Sequence, residues 1–207
     1  VRAILLVVAA TASAHADVDW GKGIVTAEGV GVADRHAPSP AVARGTSRRG
    51  AEDHARQKLA AELGKLPLAA GGKVSDKLAA DKLAKIAEGA FAVAADPETD
   101  GAWRVTMAAP IEAVRQAIAG ARTWPKGGDG GAPVIVIEGA AAKPAVGWSI
   151  TASGGSEDAA TIWVDELPAW AKDAPHVHAK SAKAGAIEID RMMGGPGTLY
   201  VVVRNRP

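Results

Sequence analysis

Between residues 51 and 63 an apolar side chain recurs at every fourth position: Ala51, Ala55, Leu59 and Leu63. A step of four keeps these groups on one stripe of an α-helix, and such a stripe must be buried against something. Arg48, Arg49, Glu52, Asp53, Arg56, Lys58 and Glu62 fall largely around the other sides. The pattern predicts a helix over Ala41 to Leu63, with Ser39 and Pro40 as N-cap and first helical residue. Alanines on the stripe would let this helix lie close to a sheet. Gly45 and Gly50 each weaken its first half by up to about 1 kcal/mol relative to Ala.

The segments around that helix supply the sheet. Ile24 to Val32 has strand character, and Gly29 and Gly31 within it mark a bulge or a close backbone approach. Ser75 and Asp76 are expected to open a second helix carrying Ala79, Leu83, Ile86 and Ala90 at 3–4 spacing. Phe91 to Ala95 and Trp103 to Ala108 read as strands joined by the Asp96 to Gly101 turn. Ile111 to Ala119 reads as a third helix, with Ile111, Val114 and Ile118 on one side. The predicted class is α+β, with helices packed on one face of a small, mostly antiparallel sheet over residues 23–121. Residues 17–22 read as a flexible lead-in.

Residues 122–132 are Gly-rich and read as a linker to a second, β-rich subdomain over 133–207. Val134 to Ile137 and Tyr200 to Val203 are continuous apolar runs of the kind found in buried strands. Gly147 to Thr151 and Thr161 to Val164 are expected to be half-buried strands, with Gly154 to Asp158 as the turn between them. Ala169 to Asp173 is expected to form one helical turn, and Met192 to Gly197 a loop.

An address is written in residues 1–16. Arg2 supplies a positive charge, Ala3 to Ala10 an apolar core, and Ala14-His15-Ala16 the small-x-small pattern that a signal peptidase cuts after. Cleavage is expected between Ala16 and Asp17. The apolar run is well short of the roughly 20 residues needed to span a bilayer, so no transmembrane segment is expected in the mature chain. The expected location is the periplasm or outer envelope, or outside the cell. The chain holds no Cys, which leaves neither disulfides nor a thiol for lipid attachment at the cleavage site. A net charge of +1 argues against a nucleic-acid binder dependent on a broad cationic surface. Trp20, Trp103, Trp124, Trp148, Trp163 and Trp170 are scattered, as core anchors are.

Candidate chemistry is sparse. Gly29-Val30-Gly31 begins like a dinucleotide fingerprint but has Asp34 where the third glycine belongs. Gly147-Trp148-Ser149-Ile150-Thr151 resembles a nucleophile elbow until Thr151, and no helix pattern follows Ser149, which reads as a strand serine. The alternative to a structural role is a periplasmic small-ligand or metal-binding module, with His176 and His178 as the strongest candidate site and Trp148, Trp163 or Trp170 lining a pocket. Two residues apart on a strand, the histidines share a face and could reach one metal, although two ligands fall short of a defined zinc site. Arg44, Arg48, Arg49 and Arg56 read as a solvated helix face. No catalytic residue and no cofactor is expected, and the chain reads as non-enzymatic.

The first half has a recognisable order. Gly23-Ile24-Val25-Thr26-Ala27-Glu28-Gly29-Val30-Gly31 precedes a helix carrying Arg49, Ala51, Ala55 and Leu59. Ser75-Asp76 and Ala87-Glu88-Gly89-Ala90 come next, followed by the hairpin Thr99-Asp100-Gly101-Ala102-Trp103-Arg104-Val105-Thr106-Met107. Over about residues 23–120 this resembles the small bacterial outer-membrane lipoprotein family that includes the flagellar protein FlgP and the N-terminal region of FlgT. The resemblance implies a compact α+β unit and a structural role in the envelope or at a flagellar outer-membrane ring. Other envelope proteins, or copies of itself, would then be its partners. Typical members carry a lipid-bearing Cys at the cleavage site, where this chain has Asp17.

Overall fold

The computed structural model describes residues 16–120, 134–153, 155–191 and 197–204. The Gly-rich stretch 122–132, the leader 1–15, Trp124 and most of the 192–197 loop lie outside them. The fold is α+β, as the periodicities predict.

The first sheet has four strands, β1 (Asp17–Asp19), β2 (Ile24–Gly31), β3 (Phe91–Pro97) and β4 (Trp103–Pro110), in the order β1-β2-β4-β3. All of its pairings are antiparallel. Helix α1 (Pro40–Lys65) lies across it, and the Ser39 side chain accepts from the backbone N–H of Val42 as the expected N-cap.

The contact between α1 and β2 is set by side-chain size. Val25, Ala27, Gly29 and Gly31 alternate along the face of β2 toward the helix, and Leu63, Leu59, Ala55, Ala51 and Ser47 form the buried stripe of α1. Both series shrink toward the same end, so the helix leans into the strand there. A Cβ on Gly29 would stand 2.0 Å from the Ala51 carbonyl oxygen, and one on Gly31 would stand 1.8 Å from that of Ser47. The glycines therefore mark a close backbone approach, not a bulge. The Ser47 hydroxyl donates to the Gly31 carbonyl at 2.6 Å.

Two expected boundaries move. Val74–Asp76 is a single 3-10 turn, and α2 runs over Ala80–Glu88. The Asp76 carboxylate accepts from the Lys73 backbone N–H at 2.7 Å, which closes a turn in place of opening the helix. Residues 17–22, expected as a flexible lead-in, form β1 and a turn: β1 pairs with Ile24–Thr26, and Asp19 accepts from the Lys22 backbone N–H at 2.9 Å to close the turn between the strands. Gly23, at φ 66°, gives that turn its left-handed residue. Helix α3 (Ile111–Ala119) has the expected bounds.

The second sheet contains β5 (Val134–Ala140), β6 (Ser149–Ala152), β7 (Gly155–Asp158), β8 (Ala160–Val164), β9 (His176–Lys183), β10 (Ala186–Ile189) and β11 (Leu199–Arg204). Their order is β7-β6-β10-β9-β5-β11-β8. Gly155–Asp158 is thus not the turn between β6 and β8. It is a strand, antiparallel to β6, while β8 sits at the opposite edge, parallel to β11. Residues 169–171 form the expected helical turn, as a 3-10 turn.

This order has a geometric consequence. Only Ala159 separates β7 from β8, so the ends of these two edge strands are at most about 7.6 Å apart. In a flat sheet six strand spacings would hold them roughly 29 Å apart. The sheet must therefore curl until its edges meet. Several contacts close it: Ala159 N–H donates to the Trp148 carbonyl at 3.1 Å, and Tyr200 on β11 donates to Glu157 on β7 at 2.5 Å. Inside the curl lie Ile135, Ile137, Trp148, Ile150, Trp163, Ile187, Ile189, Tyr200 and Val202. Strand β9 bends to make a corner, pairing with β5 through His176–His178 and with β10 through Ala179–Lys183.

Each sheet has its own apolar core, and the main chain ties the two together. Val146 N–H donates to the Pro67 carbonyl and Ala69 N–H to the Val146 carbonyl, both at 2.9 Å. Trp163 N–H donates to the Trp20 carbonyl at 3.0 Å, and the Trp20 side chain packs against both cores.

Candidate functional site

His176 and His178 occupy the first and third positions of β9, and both are exposed. The period of a strand puts them on one side, as the spacing predicts. What they face is Glu138, which stands opposite His178 in the parallel pair of β5 and β9. The Glu138 carboxylate lies 2.8 Å from Nδ1 of His176 and 3.7 Å from Nε2 of His178. Among the described residues, no group of three or more His, Cys, Asp or Glu is arranged to hold a metal ion.

Ser149 opens β6, and its hydroxyl donates to the Gly185 carbonyl at 3.2 Å. It sits in a strand and, among the described residues, no helix follows it directly and no imidazole is bonded to it, which is the setting of a strand serine. Gly29-Val30-Gly31 lies within β2, followed by a loop, and its glycines are taken up by the packing of α1. Of the α1 arginines, Arg48 and Arg56 are ion-paired: both meet Glu52, Arg56 also meets Asp53, and Arg48 stacks 5.3 Å from the Trp103 ring centre, while Arg44 donates to the Pro40 carbonyl.

The tryptophans divide as anchors do. Trp148 and Trp163 are buried with ring centres 5.7 Å apart, and Trp20 and Trp103 are half-buried against the cores. Trp170 is the exception, at 59% exposed.

Two features had no single local signal in the sequence. The first is Arg115, only 3% exposed on α3. Its guanidinium spends Nε and Nη2 on Glu112, both at 2.8 Å, and Nη1 on Asp158 at 2.5 Å. Burial works against the charge, but hydrogen bonds and attraction from Glu112 and Asp158 outweigh it and hold the guanidinium above its ordinary value. Asp158 closes the β7–β8 corner, so this ion triad fastens the first lobe to the second.

The second is a cleft of about 470 Å³ beside that triad. Its walls include Ile24, Phe91, Ile111, Val146, Ile162 and Leu199, drawn from both lobes. These residues are scattered over most of the chain, so no window of sequence could have announced them.

Edges also differ in the first sheet. β1 covers only the start of β2, and the carbonyls of Glu28 and Val30 beyond it are met by α1: Lys58 Nζ donates to the first at 2.9 Å, and His54 Nδ1 lies 2.8 Å from the second. At the other edge β3 is almost wholly exposed, with Phe91 and Val93 about half exposed. Val93 stands at a bulge between Ala92 and Ala94.

Compared with known proteins, the chain matches no family model and no curated protein. Among the described residues, no helix is long and apolar enough to cross a membrane.

Proposed function

We propose that this chain is an exported, non-enzymatic interaction protein of the bacterial periplasm or outer envelope. It pairs with other envelope proteins, or with copies of itself, through the free edge of the first sheet. The observation that carries this reading is β3. One edge of the sheet is capped by side chains of α1, whereas β3 ends the sheet with apolar side chains exposed. A free strand edge offers a row of backbone donors and acceptors to an incoming strand, and the side chains beside it select the partner. The leader-like residues 1–16 and the resemblance of residues 23–120 to outer-membrane lipoproteins with flagellar members support the envelope setting. Ser149 in a strand, bonded to a carbonyl, gives a hydrolase no support.

A photo-crosslinker placed at Ala92 in the native cell tests the reading. The expected adducts join this chain to an envelope protein or to a second copy, and Val93→Lys abolishes them with an unchanged melting temperature. Recovery of uncleaved chain in the cytosol, or adducts indifferent to Val93→Lys, would sink the proposal. A metal-binding role is a second reading; it rests on the shared face of His176 and His178, which among the described residues gain no third ligand in a metal-holding arrangement. Zinc should then raise the melting temperature of the wild-type chain but not of His178→Ala.

A further inference from the structure

We propose that the cleft between the lobes binds a single linear acyl chain with an anionic head. Its volume of about 470 Å³ falls within the roughly 300–1,000 Å³ typical of small-ligand pockets. The walls are chiefly aliphatic: Ile24, Ile111, Val146, Ile162 and Leu199, with Phe91 the one aromatic side chain among the lining residues. They therefore suit a flexible hydrocarbon better than a flat ring system, which would call for facing aromatic planes.

Charge decides which end goes in. The guanidinium of Arg115, which lines the cleft, directs one N–H of each of its three nitrogens at Glu112 or Asp158, so its charge is already balanced by two carboxylates and it is a poor anchor for an anion in the interior. A buried anion there would also meet those two carboxylates. An uncharged segment is what the interior accepts. At the solvent side Lys22 also lines the cleft, with its side chain 75% exposed and an ion pair to Asp19 at 3.1 Å. An exposed pair of this kind is worth little and can be exchanged for a ligand headgroup. The ligand thus enters tail first, with its carboxylate or phosphate left at Lys22.

Free fatty acid and membrane lipid share this chemistry, so the test has two arms. Dodecanoate should displace the apolar dye N-phenyl-1-naphthylamine from the full chain. Ala160→Phe places a ring where a small side chain lines the cleft, and it should weaken dodecanoate binding by about tenfold or more without lowering the melting temperature. Ile162→Trp fills the same space and serves if the first variant fails to fold. Lys22→Gln should weaken dodecanoate but leave dodecanol unchanged. In the second arm, flotation with phosphatidylglycerol vesicles that is lost in Ala160→Phe, without displacement by free dodecanoate, assigns the chain to a bilayer lipid. No dye displacement by dodecanoate and no vesicle binding overturns the proposal, as does binding that survives both cavity-filling variants. Phe91 of β3 also lines the cleft, so the cavity-filling variants are placed at Ala160 and Ile162, outside β3, which keeps their outcomes separate from those of Val93→Lys for edge pairing.

Discussion

The two lobes solve the same problem of burial in different ways. In the first, one long helix covers a four-stranded sheet, and the fit depends on what is missing: Gly29 and Gly31 have no side chain where α1 comes closest. In the second, no long helix among the described residues covers the sheet. Seven strands bury their large residues, Trp163, Tyr200 and five isoleucines among them, by curling until β7 and β8 meet at Ala159. The first core is shaped by a size gradient along two elements, the second by closure. The first should therefore be sensitive to single atoms added, and the second to loss of whatever holds its corner.

The largest expected effect breaks the size gradient. In Gly31→Ala the new methyl group would stand 1.8 Å from the Ser47 carbonyl oxygen and 2.7 Å from the Ala51 nitrogen, both backbone atoms. Helix or strand must shift, and urea unfolding should show a loss of about 3 kcal/mol or more. Stability equal to wild type would mean that α1 does not rest on β2.

Next comes the fastening between the lobes. Arg115→Met leaves Glu112 and Asp158 without their shared cation, at an expected cost of about 2 kcal/mol, less than a fully buried pair because both carboxylates are partly exposed. Calorimetry should show the two cores melting less cooperatively than in the wild type. An unchanged single transition would show that the main-chain bonds at Trp20 and Val146 suffice.

A smaller effect of opposite sign sharpens the comparison. Gly45 and Gly50 lie on the same helix, and a Cβ at either would meet nothing within 4 Å. Gly45→Ala should stabilise the chain by up to about 1 kcal/mol through helix propensity. A loss there would place an unseen neighbour against the start of α1.

The smallest effect is electrostatic. Burial tends to raise the Asp19 carboxyl, but hydrogen bonds from the backbone and side chain of Lys22 and the ammonium charge together lower it from its ordinary value. A carboxyl lowered by folding stabilises the folded chain above its unfolded pKa of about 3.9, and that contribution fades as pH falls through the folded value. Asp19→Asn should therefore lower the urea midpoint slightly at neutral pH and by less at acid pH, as the carboxyl takes up its proton. Equal deficits at both pH values would assign the loss to packing at the β1–β2 turn.

The stripe Ala51, Ala55, Leu59 and Leu63, the N-cap at Ser39, the hairpin strands and the bounds of α3 could all be read from the chain. Each depends on residues within a few turns of one another, where periodicity and capping chemistry dominate. In the second lobe the apolar runs of β5 and β11 were equally plain, but their neighbours were not. A run of Val and Ile fits beside any other such run, so the sequence states that a strand is buried and is silent on what it pairs with. Gly155–Asp158 shows the limit: its turn-forming composition concealed a strand whose place is fixed by Ser149–Ala152 beside it. His176 and His178 were visible as a pair, but Glu138 joins them only because β5 and β9 are neighbours. The free edge of β3, the Arg115 triad and the cleft arise the same way, from long-range pairing that local propensity does not encode. The sequence by itself determined the elements and the small residues that let α1 approach β2. Which strands meet, and hence every surface offered to a partner or ligand, was decided in three dimensions, where closing the second sheet brings distant residues together.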